Sequence, residues 1–332
     1  MPIRSNPPAF RYKPLPNSES YVLISGRANP KLAKGIGDFL HKDIDQPVTV
    51  FSDGEIRVRI GQNMRRRHIF IIQPTSSPVN DHIMELIFMI DAAKRSSAGE
   101  VSVVIPYFGY SRQDRKEMPR VPISSSVVAQ MIVQAGADRI ITVDIHSEQQ
   151  QGFLRIPWDN LYGSFAFIPF IKAKKLKNLI IAAPDKGGMT RATGYARRLQ
   201  ASGIALVYKE RDISVNNKSE ALAMIGDVKG NDVLLVDDMI DTAGTIVNAA
   251  AYLKKHGARS VRACTTHGLF SGEALKKIND SEIEEVFITD TIQQRDEVVK
   301  HKKVTVVSIA PLLAEAIRRI ETGESISKDL IL

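Results

Sequence analysis

The stretch VLLVDDMIDTAGT at residues 233–245 joins a predicted strand to a predicted helix through a turn of acidic and small residues. The four apolar residues at its start predict a buried strand, and the pattern of residues 246–255 predicts a helix after the turn. Backbone N–H groups at the start of a helix bind phosphate, and nearby hydroxyls add further donors. The residues that provide these groups here are Thr242, Ala243, Gly244 and Thr245.

Two adjacent acids, Asp237 and Asp238, stand between the predicted strand and the turn. They do not suit phosphate, because like charges repel, but paired carboxylates suit the vicinal hydroxyls of a ribose, directly or through Mg²⁺. Acids in this place also cap a helix and interact favourably with its dipole. One acid is enough for a cap, however, and Asp241 is a third. The stretch therefore predicts a site for a ribose 5-phosphate group.

Short apolar runs that alternate with helical patterns surround this stretch, and they predict parallel sheets. The predicted strands of the first half are residues 22–24, 48–51, 69–72, 101–105 and 140–143, with helices at 81–96 and 124–135. Those of the second half are residues 179–183, 205–208, 233–236, 261–265, 286–289 and 304–308. Each half has a strand that ends in an acid, at Asp144 and Asp237, which indicates a duplicated domain.

The chain has 332 residues, which is more than a single hydrophobic core usually supports, so the length predicts two domains. We expect a loose, proline-rich extension at residues 1–19, then domains at residues 20–162 and 163–332, joined by a linker near residues 155–163. Ligands of open α/β sheets lie at the carboxyl ends of strands, and all the motifs fall there.

The composition argues against several classes of protein. No apolar run approaches the about 20 residues of a membrane span, and the N-terminus lacks the apolar core of a signal peptide. We therefore expect a cytoplasmic protein that has no membrane partner. The single cysteine, Cys264, excludes an internal disulfide. The net charge of +8 is dispersed apart from the basic run at residues 65–67, which is a solvated turn or a phosphate-binding segment. Small polyanionic substrates explain a basic protein as well as a polynucleotide would, so we expect no nucleic-acid partner.

Two polar motifs are candidates for binding a nucleoside triphosphate, since the chain has no GxxxxGK[ST] loop. The sequence FSDGE at residues 51–55 offers an aromatic face and two carboxylates, although an Asp-Gly turn between strands is also commonplace. The sequence SRQDRK at residues 111–116 follows a strand and includes Arg112, Arg115 and Lys116. Arginine grips phosphate oxygens bidentately, while the alternative is a solvated loop.

Other residues at strand ends are candidates for metal binding and catalysis. His146 and Asp185 make a poor zinc site but a plausible Mg²⁺ site, because Mg²⁺ keeps several waters and takes ligands from substrate phosphates. A lone histidine is also common at protein surfaces. Lys209 and Arg211 follow the predicted strand at residues 205–208, and the polar stretch at residues 214–220 suggests a mobile lid.

The stretch at residues 233–245 resembles the phosphoribosyl pyrophosphate binding loop of type I phosphoribosyltransferases and of phosphoribosyl pyrophosphate synthases. From residue 21 to residue 327 the chain is similar to the synthases, because six further segments occur in the order of that family. They are FSDGE (51–55), PYFGYSRQDRK (106–116), VDIH (143–146), QGF (151–153), PDKGG (184–188) and PLLAEAIR (311–318).

This resemblance implies an α/β protein of two phosphoribosyltransferase-like domains, each with a mainly parallel sheet flanked by helices. It implies transfer of the diphosphoryl group of MgATP to C1 of ribose 5-phosphate, giving 5-phosphoribosyl 1-diphosphate and AMP. We also expect Arg115 to contact ATP, because arginine suits phosphate; the resemblance itself does not imply this residue. The implied residues are Phe51, Asp53, Glu55, Arg112 and Gln113 for ATP; Asp237, Asp238, Asp241, Thr242, Ala243, Gly244 and Thr245 for ribose 5-phosphate; His146 and Asp185 for Mg²⁺; and Lys209 and Arg211 for catalysis.

The resemblance also implies a homo-oligomer, in which dimers assemble to a hexamer, with phosphate activation and ADP inhibition at a subunit interface. Arg65, Ser325 and Ser327 match parts of that regulatory site, whereas Asn63 stands where a serine is common. Glu210 stands where another arginine is common on the catalytic loop, and Lys186 occupies a variable position.

Two other functions explain part of the sequence. A phosphoribosyltransferase would use residues 237–245 but would leave Phe51, Glu55, Arg112 and Lys209 without a role. A regulatory, non-catalytic subunit of a synthase would be expected to lose lid or metal residues, but these are all present here.

Overall fold

The computed structural model describes residues 20–211, 220–327 and 330. Contacts divide these residues into two compact units. The N-terminal unit comprises residues 20–162, 291–293 and the described residues from 309 onward, and the C-terminal unit comprises the described residues of 163–290 and 294–308. Each unit has its own apolar core. The predicted N-terminal extension, residues 1–19, lies outside the described residues.

The N-terminal unit contains a six-stranded sheet in the order β2-β1-β5-β6-β7-β8, in which all neighbouring strands are parallel. A separate antiparallel hairpin is formed by β3 and β4. The elements up to β8 are β1 (Tyr21–Ser25), α1 (Pro30–Leu40), β2 (Ile44–Asp45), β3 (Val48–Val50), β4 (Ile56–Val58), β5 (His68–Ile72), α2 (Val79–Arg95), β6 (Glu100–Ile105), α3 (Ser124–Ala135), β7 (Arg139–Val143), a 3₁₀ helix (Glu148–Phe153) and β8 (Trp158–Leu161).

The C-terminal unit contains a seven-stranded sheet in the order β11-β10-β9-β12-β13-β14-β15. Only the β10–β11 pair of this sheet is antiparallel. Its elements are α4 (Ser164–Ala173), β9 (Ile180–Ala183), α5 (Met189–Leu199), β10 (Gly203–Arg211), β11 (Glu220–Ile225), β12 (Asp232–Ile240), α6 (Gly244–Lys255), β13 (Ser260–Gly268), α7 (Ala274–Asn279), β14 (Glu285–Thr289), α8 (Asp296–Val299) and β15 (Val304–Val307). The last helix of the chain is α9 (Ala310–Thr322).

The predicted α/β class and the predominance of parallel pairing are confirmed. The physical reason is visible in the strands, because residues 22–24, 69–72 and 233–236 are buried without alternation. Strands that are covered on both faces read as continuous apolar runs, as parallel sheets require. The helix α1 begins with a side-chain cap, since Asn29 Oδ1 accepts the N–H of Leu32 at 3.1 Å, and Pro30 is the first residue of the helix.

The predicted linker near residues 155–163 is wrong. Residues Trp158–Leu161 form β8, which extends the sheet of the N-terminal unit by pairing with β7. Trp158 is buried and its Nε1 donates a hydrogen bond to Thr142 Oγ1 at 3.0 Å. The short segment after Pro157 has no recognisable strand pattern. Pairing with β7 stabilises it as a strand although its local sequence does not favour one.

The C-terminal helix α9 packs with the N-terminal unit, whereas the sequence predicts one domain for residues 163–332. It contacts α1, and Glu321 Oε1 near its end lies 2.5 Å from His68 Nδ1 of β5. The chain therefore returns to its first unit after completing the second. Among the helices of the described residues, none is both long and apolar enough to cross a membrane.

Candidate functional site

The acids of the opening stretch lie within β12 and not after it, so the prediction that this strand ends at residue 236 is wrong. β12 continues to Ile240, and Asp237 pairs with Thr265 of β13. Because β13 is also longer than predicted, running to Gly268, the ladder carries both acids to the carboxyl edge of the sheet. Asp238 is buried and Asp237 is partly exposed. The strand thus presents the two carboxylates from a rigid element.

The turn after β12 ends in an unusual backbone conformation at Ala243. Its φ of 62° lies in the left-handed region, which is uncommon for a residue with a side chain. Ala243 caps α6 without any side-chain hydrogen bond, and its carbonyl accepts the N–H of Val247 at 3.1 Å. A Cβ at Gly244 would meet no atom within 4 Å. The first turn of α6 is therefore open to an anion.

The two threonines of the turn, Thr242 and Thr245, are exposed, whereas Asp241 is partly exposed. The predicted phosphate-binding residues 241–245 are thus contiguous around the start of α6, and only Met239 and Ile240 separate them from the two acids of β12. The carboxylates can accept hydrogen bonds from sugar hydroxyls, and one short turn separates them from an anion site at the start of α6.

The Asp237 carboxyl is strongly perturbed by its surroundings. Burial raises its pKa well above its usual range, and the negative charges of Asp238 and Asp185 raise it further. The guanidinium of Arg191 acts in the opposite direction, since its Nη1 lies 3.7 Å from Asp237 Oδ1. Titratable groups with strongly shifted pKa values concentrate at functional sites.

At the other end of the same strand, Asp232 has the opposite perturbation. A hydrogen bond from Arg259 Nε, 2.8 Å from Asp232 Oδ1, is the largest cause that lowers its pKa, and Ser260 Oγ donates a second at 2.6 Å. Asp232 is a structural carboxylate that is satisfied by its neighbours. The pKa values of the acids at the two ends of β12 are therefore shifted in opposite directions.

We expect opposite effects on stability when these two acids of β12 are replaced. Because folding raises the pKa of Asp237, ionisation of Asp237 opposes folding, so Asp237→Asn should raise the melting temperature at about pH 8. The gain should shrink as the pH falls towards about 4, the ordinary value of a free aspartate. Asp232→Asn should lower the melting temperature, and the loss should be undiminished from about pH 8 to about pH 5, because folding lowers that pKa.

Differential scanning fluorimetry of both variants and the natural chain across this pH range measures these differences. A lower melting temperature for Asp237→Asn at the alkaline end would show that the Asp237 carboxylate stabilises the fold, contrary to this assignment.

Asp185 lies in the turn between β9 and α5, at the carboxyl edge of the same sheet. It is exposed, and its Oδ1 accepts the N–H of Gly188 at 3.0 Å. A Cβ at Gly187 would lie 3.3 Å from the same oxygen, so the two glycines let the backbone wrap closely around the carboxylate. Asp185 is close enough for its charge to act on Asp237. The structure thus brings these two predicted site residues together.

The FSDGE motif forms the tip of the β3–β4 hairpin in the N-terminal unit. The N–H of Phe51 donates to the carbonyl of Glu55 at 2.9 Å, and the N–H of Glu55 donates to Asp53 Oδ1 at 3.0 Å. Gly54 has a φ of 95°, which the turn requires. Phe51 is 50% exposed, and the Arg57 guanidinium lies 5.9 Å from its ring centre. The hairpin presents an aromatic face and two carboxylates to solvent.

The SRQDRK motif lies in turns between β6 and α3. Arg112 and Arg115 are exposed, and Arg115 Nη2 lies 3.7 Å from Glu117 Oε1. Gln113 is held in place, because its N–H donates to the carbonyl of Tyr110 at 2.8 Å and its Oε1 accepts Ser124 Oγ at 2.6 Å. Cationic side chains on an ordered turn are suited to phosphate.

Lys209 and Arg211 lie in β10, so the prediction that they follow the strand at residues 205–208 is wrong. β10 continues to Arg211 because β11 pairs with it in antiparallel fashion, with Lys209 opposite Leu222 and Arg211 opposite Glu220. Of the predicted lid at residues 214–220, only Glu220 is among the described residues, and it belongs to β11.

His146, the other predicted metal ligand, is exposed and follows β7 at the carboxyl edge of the N-terminal sheet. The preceding Asp144 is buried, with a left-handed φ of 41°. Within the described ranges no group of three or more His, Cys, Asp or Glu side chains could hold a metal by itself. An isolated, exposed donor of this kind suits an ion that keeps most of its waters, as Mg²⁺ does, and does not suit a closed zinc site.

The residues matched to a regulatory site all belong to the N-terminal unit. Arg65 is exposed, and its N–H donates to Asn63 Oδ1 at 3.1 Å, so Asn63 shapes this turn. Ser325 Oγ lies 3.3 Å from Ser327 Oγ after α9, and the Ser325 carbonyl accepts Arg319 Nη1 at 2.8 Å.

Arg191 lies beside both acids of β12 and is not among the residues predicted for the site. A signal for it exists, since Arg191 stands in the first turn of α5, where the helix dipole disfavours a cation. A basic residue in that position indicates a carboxylate partner.

A cavity of about 420 Å³ lies at the opposite edge of the C-terminal sheet, where β12 and β13 begin. Its charged lining is largely paired: Arg259 contacts Asp232, and Arg262 Nη2 lies 2.6 Å from Glu284 Oε2. The cavity is remote from the carboxyl edge, where ligands of such sheets bind, so it is not the candidate site.

Comparisons with known proteins show which family the chain belongs to. Residues 21–136 match the N-terminal domain of ribose phosphate pyrophosphokinase, and residues 211–330 match the phosphoribosyl synthetase-associated domain. The chain is 49% identical over 308 residues to a ribose-phosphate pyrophosphokinase of Helicobacter hepaticus, which covers 92% of this chain and 98% of that protein. A relative of the same name from Shewanella oneidensis is 48% identical over 307 residues, or 92% and 97% of the two chains.

A solved structure extends the comparison to the fold. The phosphoribosylpyrophosphate synthetase of Mycobacterium smegmatis superposes with a TM-score of 0.85 at 35% sequence identity, over 92% of this chain and all of that one. The chain therefore belongs to the ribose-phosphate pyrophosphokinase family.

Proposed function

We propose that this chain transfers the diphosphoryl group of MgATP to the C1 hydroxyl of ribose 5-phosphate, giving 5-phosphoribosyl 1-diphosphate and AMP. The observation that carries the proposal is the β12–α6 junction, where one short turn joins two carboxylates of the strand to a helix start that has no side-chain cap. Membership of the ribose-phosphate pyrophosphokinase family supports the same reaction.

Ribose 5-phosphate binds at this junction in our proposal. Asp237 and Asp238 accept hydrogen bonds from the sugar hydroxyls, and their place in a strand keeps the acceptors fixed. The 5-phosphate takes the N–H groups and hydroxyls of residues 241–245 at the start of α6, where the helix dipole favours negative charge.

ATP binds to the N-terminal unit's motifs in our proposal. The exposed face of Phe51 stacks on adenine, and Asp53 and Glu55 accept hydrogen bonds from the base or its ribose. Arg112 and Arg115 bind phosphate oxygens, and Gln113 adds a neutral contact.

The reaction is an attack by the C1 oxygen of ribose 5-phosphate on the β-phosphorus of ATP. A new O–P bond forms, the bond from the β-phosphorus to the bridging oxygen of AMP breaks, and the proton of the C1 hydroxyl is released to water. Catalysis of this kind depends on positioning and on neutralising charge on the transferred group. We assign that neutralisation to Lys209 and Arg211 of β10.

Magnesium would be held by Asp185 and His146, each at the carboxyl edge of the sheet in its own unit. The ion supplies charge neutralisation on the phosphate oxygens when it is bound. Oxygen and imidazole donors that are few and exposed agree with an ion whose remaining ligands are water and substrate.

We also propose a cytoplasmic homo-oligomer, in which dimers assemble to a hexamer. Large apolar side chains on the adjacent helices α2 and α3 are exposed, namely Met84, Phe88, Val127 and Met131. Clustered exposed apolar side chains mark association surfaces. Sedimentation velocity measures the assembly, and a monomer at micromolar concentration would contradict it.

The direct test is to incubate the chain with ATP, ribose 5-phosphate and Mg²⁺ and to quantify the products. AMP should form in equal amount to 5-phosphoribosyl 1-diphosphate, without any nucleobase, and removal of divalent ions with EDTA should stop the reaction. ADP as the product would indicate an ordinary kinase, and a requirement for a nucleobase would indicate a transferase. If products formed only after a partner chain was added, the regulatory-subunit alternative would hold, and Glu210 would be the first substitution to revert.

A further inference from the structure

Arg191 lies in the first turn of α5 and approaches both acids of β12. Its Nη1 is 3.7 Å from Asp237 Oδ1 and 3.9 Å from Asp238 Oδ1. None of the three side chains is more than 18% exposed, so solvent screens their interaction only weakly. The helix dipole disfavours a cation at this end of α5, and the two carboxylates compensate for it.

The packing of α5 fixes where this guanidinium lies. Ala192 and Tyr195 are buried on the face that packs against the sheet, and Tyr195 Oη lies 3.6 Å from Cys264 Sγ of β13. The turn with Asp185 and Gly188 precedes the helix directly. The first turn of α5 is thus anchored on both sides, and Arg191 is presented to β12 by a rigid element.

We propose that Arg191 is a positioning residue for ribose 5-phosphate, whose guanidinium holds the carboxylates of Asp237 and Asp238 together in the orientation that accepts the sugar hydroxyls. The inference rests on the proposed function of this site. Adjacent carboxylates repel each other, and a shared cation between them offsets that repulsion. At 3.7 and 3.9 Å the Nη1 contacts are longer than hydrogen bonds, so they act through charge.

The test compares Arg191→Gln and Arg191→Lys with the natural chain. Arg191→Gln should raise the KM for ribose 5-phosphate about tenfold while the KM for ATP changes less than about twofold. Arg191→Lys retains the charge and should recover part of the loss, although lysine lacks the planar fork. Arg197→Gln is the matched control, because Arg197 is an exposed arginine in the last turn of the same helix, and it should leave both constants unchanged.

Calorimetric titration of ribose 5-phosphate into each variant separates this inference from the proposed function. If the natural chain binds the sugar phosphate but forms no product, the proposed function fails, and Arg191 is judged by binding alone, with weaker binding by Arg191→Gln expected. An unchanged or tighter affinity in Arg191→Gln overturns the inference, as does a rise in both KM values to the same extent. A chain that binds no ribose 5-phosphate overturns both.

Discussion

Replacing Lys209 by alanine should lower kcat by a factor on the order of 10² or more, with a much smaller change in either KM. Removing one preorganised stabiliser of transition-state charge has an effect of this size, and an interaction made only in the transition state appears in kcat. Lys209 belongs to β10, whose backbone pairs with that of β11.

Steady-state kinetics at saturating ATP and ribose 5-phosphate measures this effect, with the melting temperature as a check on folding. Lys172→Ala is a suitable control, since Lys172 is an exposed lysine in the last turn of α4. We expect Lys209→Ala to keep the melting temperature of the natural chain, because ladder hydrogen bonds are made by the backbone. Turnover equal to that of the natural chain would remove Lys209 from the mechanism.

Replacing Asp238 by asparagine should raise the KM for ribose 5-phosphate by about 10-fold to 100-fold, with a smaller effect on the KM for ATP. Hydrogen bonds to a charged acceptor contribute about 1.5–3 kcal/mol, which corresponds to that range. Asparagine keeps the size of the side chain but weakens the acceptor. Asp237→Asn should show the same pattern, with a larger rise in the KM for ribose 5-phosphate than in the KM for ATP.

Initial-rate kinetics with each substrate varied in turn checks this prediction. Asp227→Asn provides a control, because Asp227 is an exposed acid in the segment between β11 and β12. A larger rise in the KM for ATP than for ribose 5-phosphate would mean that the two substrate sites are exchanged. An unchanged KM for both substrates would leave Asp238 without a binding role.

Much of the site follows from local sequence. The strand–acid–turn–helix order of residues 233–245 predicts the anion site at α6, and the structure adds the left-handed Ala243 and the missing side-chain cap. The turn at residues 51–55 is equally local, because an Asp-Gly pair is common in turns between strands, and the structure adds the second strand of the hairpin. Such features depend on neighbours in the chain, and sequence patterns describe those neighbours.

Features that depend on distant partners were not predicted. The extension of β12 past Asp237 needs β13 beside it, and the extension of β10 to Arg211 needs β11. β8 is a strand because β7 offers an edge, although its own sequence reads as a linker. The return of α9 to the N-terminal unit depends on contacts with α1 and His68. Tertiary pairing of this kind overrides local propensity.

The perturbed pKa of Asp237 has the same origin. Its causes are burial and the charges of Asp238, Arg191 and Asp185, which come from three different elements of the C-terminal unit. Sequence shows that Asp238 is adjacent, but only the fold shows that α5 carries Arg191 to within 3.7 Å. Electrostatic coupling across elements is therefore read from structure.

The most direct test of the proposed reaction follows the phosphorus atoms of ATP. With ATP labelled at the β-phosphorus, ribose 5-phosphate and Mg²⁺, the label should appear in 5-phosphoribosyl 1-diphosphate, and AMP should be unlabelled. With ATP labelled at the α-phosphorus, all of the label should remain in AMP. Retention of the β-label in ADP, or its release without any labelled sugar diphosphate, would contradict transfer of the diphosphoryl group.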